Sequence, residues 1–188
     1  MGQEQLTLAA IAQSFYLLLM FVGLAINKTS ATLCANAIGA KNFSVVNRAL
    51  KNCVLFLTLA FTCVFLLVWG VSQPLLELFL SERDFLAIET DPSLKTHCFW
   101  TLIACCFFFY FDAMAWTLQG VLIAKSDTKI IFWTSLCSFW GIVVLPLSLI
   151  VFYTNYHYAF LGWGLLTLAT LVNSTVLFCR HRACPLAA

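Results

Sequence analysis

Asp112 is the sole formal charge between Thr96 and Ala124 in a stretch that otherwise reads as one apolar helix, with His97 near its rim taken as neutral. An ionised carboxylate at the centre of a bilayer helix costs roughly 2.5–3.5 kcal/mol, so a chain keeps one where a cation, a proton or a paired side chain compensates. Helical spacing puts Phe108, Phe109, Ala115, Trp116 and Gln119 three, four or seven residues from Asp112, on its side of the helix. Gln119 can coordinate a cation or hydrogen-bond. Phe108, Phe109 and Trp116 either hold a lipophilic cation by cation–π contact, worth about 0.5–2 kcal/mol each, or pack against lipid and neighbouring helices. Lys28 is the other charge to place. If its helix ends near Ile26 it is an interfacial anchor that snorkels to water. If the helix continues to Ala37, Lys28 lies about 13 Å inside that end, within reach of a carboxylate on another helix.

The elements that position these residues belong to a membrane. Of 188 residues, 62% are hydrophobic and 10% charged, far below the roughly 25% charge of a soluble domain. The mean hydropathy is +0.95. A net charge of +2, with no basic cluster interleaved with aromatics, points away from nucleic acid. Hydropathy divides the chain into five spans, Leu6–Ile26, Cys53–Val71, His97–Ala124, Ile130–Tyr153 and Tyr158–Cys179. Each is long enough to cross a hydrocarbon core of about 30 Å. Five segments without sheet-like alternation cannot close a barrel, and helices are then the structure that satisfies the backbone in lipid. The fold class is an all-α membrane protein.

Eight of the ten basic residues, namely Lys28, Lys41, Arg48, Lys51, Lys125, Lys129, Arg180 and Arg182, fall on one side if the spans alternate. Arg83 and Lys95 fall on the other, in the acid-rich loop Gln73–Thr96. The positive-inside bias makes the first side, and the C-terminus, cytoplasmic and puts Met1 outside. Met1–Gln5 carry no basic residue, so the first span does not read as a signal peptide, and Leu6 breaks the myristoylation pattern.

Local punctuation sets the boundaries. Gly39 has the residue type that ends a helix in the left-handed conformation, with Lys41 near the negative end of the dipole. Ser44 is read as an N-cap, and Asp91-Pro92 as the N-cap and first residue of the Asp112 helix. Pro146 falls inside the fourth span and predicts a kink. The nine cysteines show neither CxxC pairs nor a secreted disulfide spacing and read as small packing residues. Gln13, Ser14, Ser135, Ser138, Asn173 and Ser174 either line a cavity or hold helices together, the second being the more ordinary use. His97, His157 and His181 sit near span ends. Cys179, His181 and Cys184 do not define a tetrahedral metal site, and no nucleophile–base pair suggests an enzyme.

Four stretches, in order, resemble the C-terminal half of a multidrug and toxin extrusion (MATE) transporter. They are Gln3–Ala10, like the family's G-x-x-x-L-A-A helix opening; Asn36-Ala37-Ile38-Gly39-Ala40-Lys41-Asn42, like its N-x-x-G-A-x-(D/N) loop; Asp112-Ala113 through Gln119-Gly120-Val121-Leu122 to Asp127-Thr128; and Gly141–Pro146 followed by Leu161-Gly162-Trp163-Gly164. The resemblance implies that the chain forms helices eight to twelve of such a protein, most of one six-helix lobe. The first lobe and the first helix of the second would then be supplied elsewhere, with Met1 an internal position of a longer protein. It further implies antiport of organic cations, drugs or toxins against Na⁺ or H⁺, with a small-molecule substrate, a lipid surround and no cofactor, in the cell membrane. In the NorM-like branch an aspartate of the tenth helix belongs to a cation site that competes with drug, and Asp112 matches that position, with Gln119 as its companion. The family's L-R-G-x-x-D-T ending departs here, since Leu122–Thr128 lacks the arginine and the second glycine, and the acidic partner of the seventh helix has no counterpart in these residues. Two other readings stand beside this one. A lipid-linked oligosaccharide flippase of the same superfamily would be expected to have a basic cavity, which an acidic Asp112 disfavours. A non-transporting truncated remnant, or one piece of a split transporter, would equally explain the missing helices.

Overall fold

The computed structural model describes residues 3–70, 92–153 and 159–183. Their helices are α1 (Gln3–Gly39), α2 (Phe43–Gly70), α3 (Pro92–Ala124), α4 (Thr128–Tyr153) and α5 (Ala159–Ala183). All five are long and apolar enough to cross a membrane. The helices outrun the hydropathic spans because polar ends such as Asn27–Ala37 continue the same hydrogen-bond ladder where hydropathy falls. The loop from Gln73, with its acids and the Asp91 cap, lies outside the described residues up to position 91; its last residues, from Pro92, already belong to α3. Met1 and His157 also lie outside them.

α3 is the most buried of the five and packs on α1, α2, α4 and α5. Its contacts give the directions of the others. Cys105 Sγ donates to the Ala12 carbonyl, Tyr16 bonds Asp112, and Gly120 faces Asn27, so α1 runs parallel to α3. Thr167 donates to the Ala104 carbonyl and Lys125 to the His181 carbonyl, so α5 does as well. Phe61 packs on Tyr110 and Trp69 on Phe99, which makes α2 antiparallel. Asn173 bonding Ser135 and Arg180 bonding Asp127 give α4 that direction too. The alternation gathers Lys41, Lys125, Lys129, Arg180 and Arg182 at one end of the bundle, as the charge pattern predicts. The core is a spine of leucines, small residues and cysteines. Cys34, Cys98, Cys105 and Cys106 are buried, and the described cysteines are free thiols.

The turns correct two readings of the sequence. Gly39 keeps helical backbone, and Lys41 takes the left-handed conformation instead, with φ 56°. The Lys41 N–H donates to the Ile38 carbonyl and the Asn42 N–H to the Ala37 carbonyl, which is a Schellman turn two residues later than expected. Asn42, not Ser44, precedes the first residue of α2, and the Ser44 hydroxyl donates to Asn42 Oδ1. α3 ends identically. Ser126 has φ 63°, its N–H donates to Ile123, and the Asp127 N–H donates to Leu122. A left-handed non-glycine residue costs roughly 1–2 kcal/mol. Ser126→Gly is therefore expected to raise stability by about 0.5–1 kcal/mol once the extra unfolded-chain entropy of glycine is subtracted. The thermal unfolding midpoint in detergent measures this, with Gly39→Ala, whose added methyl meets nothing within 4 Å, as the control. A lower midpoint for Ser126→Gly would show that Ser126 sits there without strain.

At Pro146 the structure shows a widened turn. Phe139–Val144 is π-helical, and the Leu145 N–H donates to the carbonyl of Trp140, five residues back. A proline ring inside an α-helix collides with the carbonyl four residues earlier and supplies no donor for it; a π turn just upstream shifts that register.

Candidate functional site

Asp112 sits at mid-depth on the face of α3 that opens toward α4 and α5, beside a cavity of about 340 Å³.

The wall from α3 is a single stripe of Phe108, Asp112, Trp116 and Gln119. α4 contributes Ser135, Ser138 and Phe139, the last being the first residue of the π turn. α5 adds Leu166, Ala169, Thr170 and Asn173. Four residues along a helix turn the side chain only about 40° from its starting direction, and seven about 20°, whereas three turn it about 60° away. This is why Phe108, Trp116 and Gln119 share the cavity with Asp112, while Phe109 and Ala115 do not. Phe109 is 2% exposed and Ala115 1%, both in the apolar core. Phe109 therefore lies outside the lining of this cavity.

Asp112 has one protein partner that helical spacing could not supply. The Tyr16 hydroxyl donates to its Oδ2 at 2.6 Å, from α1. Tyr16 is itself held by rings, lying 4.9 Å from Phe108 and 6.1 Å from Trp163 between centroids, and Phe108 meets Trp163 edge-on at 5.5 Å. The carboxylate is thus gripped from behind by a phenol and is half-buried, with its cavity side lined by oxygen-bearing side chains. Asn173 Nδ2 donates to Ser135 Oγ at 3.5 Å, which joins α5 to α4, and Asn173 Oδ1 is buried without a partner among the described residues. Thr170 donates back to the Leu166 and Thr167 carbonyls, so its hydroxyl oxygen retains accepting capacity. A carboxylate, two amides and several hydroxyls form an all-oxygen set suited to a hard cation. Phe108, Trp116 and Phe139 give the same space aromatic faces.

Lys28 is not part of this arrangement. α1 does continue past Ala37, as one of the two readings required, but Lys28 is exposed on it, twelve residues and about 18 Å along the axis from Tyr16. Gln13 and Ser14 are likewise exposed, and Ser14 donates to the Ala10 carbonyl. Ser135, Ser138 and Asn173 both line the cavity and serve helix packing. Tyr16 was the missed residue. Its signal was depth, since it lies at the middle of the first span as Asp112 does of the third, but pairing the two required knowing that α1 lies against α3.

A family model described as MatE matches residues 1–150, most of the chain and all of the described parts of α1, α2 and α3. No curated protein matches the chain.

Proposed function

The chain belongs to the MatE family of transporters, and from that premise we propose that it forms part of an antiporter that exchanges an organic cation for Na⁺ or H⁺ at Asp112. The observation that carries this reading is the coincidence, in one cavity, of a half-buried carboxylate, an oxygen-rich wall and aromatic faces. A lipophilic cation is drawn by the carboxylate and the rings, while Na⁺ or a proton is drawn by the carboxylate and the oxygens. One negative charge serves one of them at a time. A substrate that binds best to the ion-free form is released when the ion enters, which is the differential affinity that exchange requires.

The walls of the cavity come from α3, α4 and α5. Alternating access needs a second helical body rocking against such a site, and we propose that further membrane helices supply it. The basic end of the bundle is proposed to face the cytoplasm, with the protein in the cell membrane. Labelling of a lone cysteine placed at position 127 tests the orientation: an impermeant reagent added outside intact cells should leave it unmodified, and strong labelling would invert the topology.

Ethidium fluorescence tests the exchange itself on the purified chain. Ethidium should bind, and NaCl, but not KCl at equal ionic strength, or else a fall in pH, should displace it. Displacement by KCl equal to that by NaCl, with no response to pH, would reduce the interaction to salt screening and remove the proposed competition.

A further inference from the structure

The second cavity, of about 410 Å³, lies at the basic end, between the first turns of α2 and the ends of α3 and α5. Its polar lining is Asn47, Lys125, His181 and Arg182, and no acidic residue lines it among the described residues. Asp127, the acid beside this end of α3, is bound by Arg180 at 2.7 Å and is not among the residues that line the cavity. The lining is held in place. Lys125 Nζ donates to the His181 carbonyl at 3.3 Å, and the Arg182 guanidinium lies 4.6 Å over the Phe178 ring. His181 is 9% exposed, and its Nδ1 is buried without a partner among the described residues. A buried ring nitrogen left in that state costs free energy that a bound ligand can recover. Phe43, Leu50 and Phe178 give the cavity an apolar side.

We propose that this cavity binds a phosphate-bearing anion. Lys125 and Arg182 supply the opposite charge, Arg182 with the planar fork that matches phosphate oxygens. Asn47 supplies an amide donor, and His181 donates from Nδ1 in the ring form that carries a hydrogen there. The N-terminal end of α2 turns its positive dipole toward the anion while the C-terminal ends of α3 and α5 oppose it, so the charged side chains carry the attraction. A phosphate group is carried both by anionic lipid headgroups and by water-soluble phosphate esters. The apolar side formed by Phe43, Leu50 and Phe178 at a helix end, where headgroups lie, favours the lipid. The site is distant from Asp112 and does not depend on the exchange reading.

The test is lipid retention by the purified full chain in detergent, read by native mass spectrometry. Phosphatidylglycerol and phosphatidylcholine are added in equal amounts, with glycerol 3-phosphate as a soluble competitor. Phosphatidylglycerol should be retained in preference, and Lys125→Gln or Arg182→Gln should each lower that preference about fivefold. His181→Phe should lower it as well, and Lys125→Arg should keep it. Retention of phosphatidylcholine by each variant at the wild-type level reports intact folding. Loss of phosphatidylglycerol on adding glycerol 3-phosphate assigns the site to soluble phosphate esters, and persistence assigns it to the lipid. Equal retention of the two lipids together with no effect of glycerol 3-phosphate, or a preference unchanged in both glutamine variants, would overturn the proposal.

Discussion

Asp112→Asn is expected to abolish ion-coupled export in the assembled transporter while leaving membrane insertion intact. The substitution nearly preserves shape but removes the charge for which, on the proposed reading, substrate and coupling ion compete. The expected loss is the whole coupling between the two ligands, about 5–150-fold in affinity for effects of this kind. Efflux and Na⁺-dependent or pH-dependent displacement of substrate, measured at matched protein levels, give the readout. Tyr16→Phe separates holding from charge. It removes the 2.6 Å bond to Oδ2 but leaves the carboxylate in place, and loss of such a supporting partner weakens ion binding about 10–100-fold without removing it. Coupling unchanged in Asp112→Asn would make Asp112 a structural carboxyl group, bonded across helices to Tyr16 and nothing more.

Gly120 carries the second large effect. A Cβ built there would lie 2.9 Å from Asn27 Oδ1, 3.0 Å from Ser30 Oγ and 3.2 Å from the Asn27 carbonyl oxygen. Ser30 is fully buried and donates to that same backbone carbonyl, so even with the Asn27 amide turned aside these two oxygens stay close to the added methyl. In an exposed helix, Gly→Ala gains about 1 kcal/mol of propensity. At Gly120 the sign should reverse, because α1 must be pushed off α3, and overpacking of this kind costs about 1–3 kcal/mol. Gly120→Leu should leave little folded, monodisperse protein in detergent. Gly23 provides the comparison on the same interface: its added methyl would meet Ala113 Cβ at 3.4 Å and Trp116 at 3.6 Å, ordinary contacts, so Gly23→Ala should be tolerated. Thermal unfolding midpoints of the alanine variants decide between the two signs. A stabilised Gly120→Ala would mean that α1 and α3 do not approach this closely.

Composition and periodicity were enough to establish five membrane-length helices, the gathering of basic charge at one end and the isolation of Asp112, because each depends on local hydropathy or on charge counted along the chain. The stripe of Phe108, Trp116 and Gln119 also follows from the helical repeat alone. Helix ends were read less well. Schellman turns at Lys41 and Ser126 need the left-handed conformation from residues that do not advertise it, and hydrogen bonds to Ala37 and Leu122 supply the compensation. What only the tertiary structure decided is which helix faces which. Tyr16 meets Asp112, Asn173 meets Ser135, and His181 closes on Lys125 across 96, 38 and 56 residues of sequence respectively. The angular offset of three residues from four puts Phe109 outside the cavity, and Lys28 lies on the exposed side of α1, away from it. A residue's type and period fix the face it takes on its own helix, but the neighbour that face meets is set by the packing of the whole bundle around α3.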